Sequence, residues 1–180
     1  MKRATCVYFI DRFNGVLLPY QQAKVVGRKG YGGKLKDHED PRKGTLREVK
    51  QESGYYKKYR LNYNEEGGII FDPKDLIPVA LIDFYNGDEI QVPFGDPSFR
   101  VLFYICRKFQ GKPVDTKEMQ DHWFYHRNNL PLDELPVGDS LFLEDILNEK
   151  LTKGYIRRSA DRKTVIDPNL GPCSIEDLVI

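Results

Sequence analysis

Residues 33–55 read GKLKDHEDPRKGTLREVKQESGY, from Gly33 to Tyr55. Their spacing is the most informative feature of the chain. Asp40-Pro41 is a helix start: aspartate can cap the first free amide hydrogens, and proline suits the first helical position. Gly54 is a natural stop, free to take the left-handed conformation. The predicted helix between them has about three to four turns. Glu48 and Glu52 stand four apart on it and share one face. Two unpaired carboxylates stacked in this way repel each other, and a hard divalent cation with oxygen ligands would relieve the repulsion. Leu46 and Val49 fall on the other side and would fix the helix to a core. Without the flanking glycines, the same run would read as a solvated, charge-rich surface helix.

The composition sets the bounds for this reading. Of 180 residues, 40% are hydrophobic and 31% charged, as in a folded globular chain rather than a disordered one. A formal net charge of +1 argues against wrapping nucleic acid or coating an anionic membrane. There is no apolar run of membrane-spanning length, and no signal-peptide pattern follows Met1-Lys2-Arg3. Cys6, Cys106 and Cys173 are widely spaced and odd in number, with no metal-ligand spacing. They read as reduced thiols of a cytoplasmic protein.

Outward from the helix, Ala4 to Ile10 and Gly15 to Leu18 are two β-prone runs around Asp11-Arg12-Phe13-Asn14, a predicted hairpin. Tyr56 to Glu66 is charged and tyrosine-rich, leading to a turn at Glu65-Glu66-Gly67-Gly68. Ile77 to Phe84 and Arg100 to Phe109 are predicted strands. The long connection between them runs through Asn86-Gly87-Asp88 and Phe94-Gly95-Asp96-Pro97. After a turn at Gln110 to Pro113, a strand is expected around Trp123-Phe124, with Trp123 packed in the core rather than stacked on a ligand. Ser140 to Leu151 is predicted to be an amphipathic helix with Leu141, Leu143, Ile146 and Leu147 on one face. A terminal hairpin follows at Gly154 to Arg157 and Thr164 to Ile166. Strands on both sides of a central helix, with a second helix late, predict an α/β/α sandwich in one domain over 1–180.

The 33–55 stretch resembles the Nudix box of the Nudix hydrolases: Gly33, five residues, Glu39, seven residues, Arg47-Glu48, an aliphatic, then Gln51-Glu52, Ser53 and Gly54. The resemblance implies the Nudix fold, a mixed sheet between helices. It also implies hydrolysis of a diphosphate linkage with magnesium, or manganese in its place. By the same resemblance Gly33 lends a backbone carbonyl to the metal beside Glu48 and Glu52. Arg47 pairs with a box carboxylate such as Glu39 and counts with Glu48 and Glu52 in the catalytic set. Either glutamate would carry metal or take the proton of the attacking water; the sequence does not divide those roles. Gln51 departs from the family's glutamate. An amide keeps a carbonyl acceptor but loses the charge, so Gln51 either ligates through oxygen or acts through water.

The match continues beyond the box. Thr116-Lys117-Glu118-Met119 and His122-Trp123-Phe124, then Leu130-Pro131 through Asp139-Ser140, and the terminal hairpin, resemble the MutT-like oxidised purine nucleoside triphosphatases. This subgroup implies a purine nucleoside triphosphate, 8-oxo-dGTP among the candidates, split to monophosphate and pyrophosphate. Glu118 is then a candidate acid outside the box, against a solvated turn residue. Asp139 is a candidate reader of the base, against a cap on the Ser140 helix. Lys29 and Lys34 are candidate substrate contacts, and Arg28 beside Lys29 could meet phosphate or base. Arg28-Lys29 stand where the subgroup has Trp-Asn, and Val137-Gly138-Asp139 keep only the second of its two adjacent acids. The competing readings are another Nudix specificity (nucleotide sugar, dinucleotide or capped RNA end) and a Nudix-fold module that binds a nucleotide without cleaving it. The expected partner is a small nucleotide, with no membrane and no nucleic-acid signal; oligomeric state has no signature.

Overall fold

The computed structural model describes residues 1–22, 26–55, 67–87 and 95–180. The whole tyrosine-rich run from Tyr56 to Glu66, and residues 88–94 of the long connection after Asn86, lie outside the described residues. The strands are β1 (Lys2–Ile10), β2 (Gly15–Gln21), β3 (Gly27–Arg28), β4 (Ile77–Asn86), β5 (Phe99–Cys106), β6 (Met119–His126), β7 (Thr152–Arg158) and β8 (Val165–Pro172). They form one mixed sheet in the order β3-β2-β1-β5-β4-β7-β8, with β6 paired to β2. Among the described residues the helices are α1 (Pro41–Glu52) and the short α2 (Leu143–Leu147). No helix among the described residues is long and apolar enough to cross a membrane.

β1 is the centre of the sheet, and its residues from Ala4 to Ile10 are buried on both faces, as a near-continuous apolar strand should be. It runs parallel to β5 from Lys2↔Phe99 to Phe9↔Cys106. On its other edge it meets β2 only at its end, Phe9↔Leu17 and Ile10↔Val16. The rest of that edge is taken by the segment that leads into α1, bridged at Val7↔Tyr31 and Ala4↔Lys34. Thr5 N donates to Gly33 O at 3.0 Å, and Val7 N to Tyr31 O at 2.7 Å. A non-strand segment thus satisfies the backbone of the central strand and is itself held still.

Two cores lie on opposite faces. Val7, Phe9, Tyr31, Leu81, Leu102 and Tyr104 pack with Val49 of α1 on one face. Tyr8, Ile10, Ile82, Phe84, Phe103 and Ile105 pack with Phe142, Leu143 and Ile146 on the other. The expected α/β/α layering is therefore present.

Two expectations are corrected. Trp123 is 62% exposed, because β6 is bonded only to β2 at the margin of the sheet and the indole lies outside both cores. The late helix is shorter than 140–151. Asp139–Leu141 is a 3-10 turn opened by Gly138 at φ +92°, and Glu149 at φ +59° stops the chain beyond α2. Leu141 consequently faces solvent, while Leu143, Ile146 and Leu147 are buried.

Candidate active site

The N-cap Asp40 accepts from Lys43 N, Pro41 opens the first turn, and Ser53 closes the helix by donating its N–H to Val49 O. Gly54 follows at φ +83°, the left-handed stop expected of it. Val49 is fully buried against the sheet. Anchoring that side of the helix turns Glu48 and Glu52 towards the segment of residues 31–34. Glu52 is only 4% exposed, and its Oε2 accepts from Gly32 N at 2.7 Å. Burial pushes its carboxyl up to about 7, against the opposing pull of Lys29 and the Gly32 amide, while Glu48 and Glu118 push it further up. Glu48 and Glu118 thus both act on Glu52 with like charge.

Arg47 holds the loop to the helix. It grips Glu39 with two bonds, at 2.9 and 2.8 Å, donates to Glu48 Oε1 at 2.5 Å and reaches Lys34 O at 3.0 Å. The Arg47 grip holds the Glu39 carboxyl down at about 2. Gly33 lies against Glu48: a methyl group on its Cα would stand 2.7 Å from the Glu48 carboxyl carbon. Only a glycine leaves that carboxylate in place.

This arrangement suits a divalent cation of the kind that shares its shell with substrate. Glu48 and Glu52 each spend one oxygen on Arg47 or Gly32 and keep the other. The Gly33 carbonyl already accepts from Thr5 and has a second lone pair. No group of three His, Cys, Asp or Glu that could hold an ion by itself forms among the described residues. Magnesium does not require one, since it is held by one or two carboxylates with waters and substrate phosphates completing six oxygens. Gln51 is exposed, one residue before Glu52 on the same helix.

The turn that carries Glu118 docks on the end of α1. Val114 N donates to Ser53 O at 3.0 Å, and the Thr116 hydroxyl lies 3.4 Å from Glu52 O while accepting from Glu118 N and Met119 N. Glu118 itself is exposed. Beneath this turn, Tyr31 Oη and His122 Nδ1 are 2.6 Å apart and their rings stack at 2°. Burial lowers the pKa of His122, against the pull of Asp115 in the other direction. His122 is thus a packing residue.

A second cluster lies on the α2 face of the sheet. Asp139 is 9% exposed, and burial pushes its carboxyl up to about 7 while Arg158 and Lys29 pull it down. The N-cap of the 3-10 turn is Gly138 and that of α2 is Phe142, so Asp139 does not stand at the capping position expected of it. Gly30 seats the backbone beside Cys6 and Tyr8, where a methyl would meet Cys6 Sγ at 2.7 Å. Lys29 precedes Gly30 in the chain, and its charge is felt by Glu52, Asp139 and Cys6. Lys34 takes a different place, its ammonium 5.6 Å from the centre of the half-buried Phe99 ring. Arg28, a candidate for phosphate or base, is instead 7% exposed and clamped to Asp121 at 2.5 Å and Glu134 at 2.7 Å. It ties β3 to β6 and to the turn before Asp139. Tyr8 and Arg158 were not singled out from sequence. Their one signal was a polar tip at an inward position of a strand.

The fold is that of the Nudix hydrolases. Over 97% of this chain and 100% of the other, it is similar to a MutT mutator protein from Bacillus halodurans, with a TM-score of 0.73 at 16% identity. A MutT Nudix hydrolase from Burkholderia pseudomallei matches 82% of this chain and 96% of its own, with a TM-score of 0.55 at 15% identity. A Nudix hydrolase from Nitrosomonas europaea matches 87% and 79%, with a TM-score of 0.55 at 12% identity. No family model matches the chain.

Proposed function

We propose that this protein is a magnesium-dependent pyrophosphohydrolase that cleaves a purine nucleoside triphosphate to the monophosphate and pyrophosphate. The observation that carries the reading is the buried Glu52, bonded to Gly32 N beside Glu48, with Lys29 joining it electrostatically to the Asp139 cluster. One end of the cleft suits phosphates and a cation, and the other suits a base.

Glu48, Glu52 and the Gly33 carbonyl would hold the magnesium. When bound, it would polarise phosphoryl oxygens, lower the pKa of a bound water and neutralise the leaving group. Water attacks phosphorus within the diphosphate linkage, the bond to the bridging oxygen breaks, and pyrophosphate leaves. A carboxylate of the Glu48, Glu52 and Glu118 group takes the proton of the water. Arg47 fixes the Glu48 carboxylate and the loop, and Asp139 and Lys29 face the base. Gln51 stands at the open edge of the cation shell.

The test is a panel of nucleoside triphosphates and other diphosphate-linked nucleotides, with product phosphates identified, in magnesium, in manganese and in excess EDTA. Pyrophosphate release from triphosphates that stops in EDTA is expected. Full activity in EDTA would sink the metal mechanism, and cleavage confined to nucleotide sugars or dinucleotides would sink the triphosphate reading.

A further inference from the structure

The geometry points to Arg158 as a base-reading residue beside Asp139, and on this proposal Lys29 flanks the same carboxylate, completing a donor–acceptor–donor edge complementary to an imide. An imide edge carries carbonyl, N–H, carbonyl in sequence, as in xanthine and uracil; an 8-oxopurine presents the same order across O6, N7–H and O8. This inference rests on the proposal that the Asp139 cleft receives the base.

The placement follows from the sheet. Arg158 ends β7, two residues beyond the buried Ile156, so its side chain falls on the α2 face. There its guanidinium lies over the Phe84 ring at 4.6 Å. Phe84, Phe103 and Phe142 form one aromatic group, and Phe103 stacks on Tyr8. Nη1 of Arg158 reaches Val137 O at 3.4 Å, which brings the guanidinium to the turn that carries Asp139. Gly138 packs this turn against Ile156 and Val165.

The polar groups here are not all satisfied. Arg158 Nε is buried and has no hydrogen-bond partner among the described residues, and Tyr8 Oη has only the weak Cys6 thiol and the Gly30 amide near it. Asp139, 9% exposed, follows Val137 and Gly138 in the turn that the Arg158 guanidinium reaches. Buried donors and acceptors left open are costly unless something else completes them. A planar ligand edge of matching polarity would do so. Lys and Arg donate to carbonyl oxygens, and an aspartate accepts from a ring N–H. The Watson–Crick edge of guanine carries two adjacent donors, which would turn its amino group on one of the cations. Adenine and cytosine each place an amino group at the outer position, with the same conflict.

The experiment measures kcat/KM in magnesium for the triphosphates of xanthosine, uridine and 8-oxoguanosine against those of guanosine, adenosine and cytidine. It uses the wild-type protein, Arg158→Met and Arg158→Lys. The wild type is expected to favour at least one imide nucleotide by about 10-fold to 100-fold, the discrimination typical of a well-placed pair of base contacts. The xanthosine, 8-oxoguanosine and uridine arms show which ring carries the edge. Arg158→Met keeps an apolar stem over Phe84 and should collapse that ratio. Arg158→Lys, which keeps the charge but loses the fork, should retain part of it. Thermal midpoints confirm that each variant is folded. Hydrolysis without imide preference, or a preference unchanged in Arg158→Met, overturns the assignment of Arg158. No metal-dependent hydrolysis of any of the six would instead overturn the triphosphatase reading.

Discussion

Glu39 and Glu52 bear the same charge and belong to the same stretch, yet their surroundings give them opposite work. Glu39 is gripped by Arg47 and by Lys36 N, and its carboxyl is held at about 2. Its charge is spent inside the protein. Glu52 is buried with one backbone bond and its carboxyl raised to about 7, so Lys29 offsets only part of the cost of its charge and a bound cation would offset more. Glu52→Gln should therefore lower kcat by a hundredfold or more, roughly the several kcal/mol a cation's transition-state stabilisation is worth. It should also remove the gain in thermal midpoint that magnesium gives. Glu39→Gln loosens the loop and should show first as lower thermal stability, with a smaller loss of turnover. Equal kcat losses in two folded variants would refute this division of labour.

At the scale of elements, the site is built where α1 meets the segment laid along β1. The close approach of Gly33 to the Glu48 carboxylate makes Gly33→Ala informative. The added methyl must displace a carboxylate that Arg47 holds at 2.5 Å. The magnesium concentration needed for half-maximal activity should rise at least several-fold, while circular dichroism stays native. An unchanged requirement would mean that Glu48 does not sit on the cation. Gln51→Glu tests the opposite edge: one more carboxylate on the exposed side of α1 should lower that requirement or raise turnover. An identical magnesium titration would place position 51 outside the shell. The sequence read this element well because caps, spacing and the Glu48/Glu52 face are local properties of one helix. Trp123 and the late helix were misread for the complementary reason. An aromatic strand such as WFY has the same pattern whether a neighbour covers it or not, and only the sheet order leaves β6 at the margin. The clamp of Arg28 on Asp121 and Glu134, and the pairing of Tyr31 with His122, span about a hundred residues of chain and leave no trace in local periodicity.

At the scale of the whole molecule, the two raised carboxyls make stability depend on pH. Asp139 and Glu52 ordinarily titrate at 3.8 and 4.5, and in the folded protein both stand at about 7. Between those values the native state holds protons that the unfolded chain has lost. The stability they lend is therefore whole below pH 4, declines as pH rises through the window and is gone above about 7. His122 works the other way. Its pKa is lowered by burial, so its contribution falls as pH drops below its ordinary 6.5. The difference between wild type and Asp139→Asn isolates one carboxyl from this sum. The variant cannot ionise, so its midpoint should fall less between pH 5 and pH 8 and exceed that of the wild type at pH 8. Magnesium should act only on the other carboxyl. It binds the ionised Glu48 and Glu52, so it should raise the midpoint more at pH 8 than at pH 5, and equally in wild type and Asp139→Asn. Thermal melts of both proteins at the two pH values, with and without magnesium, separate the contributions. A wild-type slope retained in Asp139→Asn would show that this carboxyl is ionised in the folded protein and already matched by Lys29 and Arg158. A magnesium shift lost in the variant would join the two ends of the cleft into one cation site.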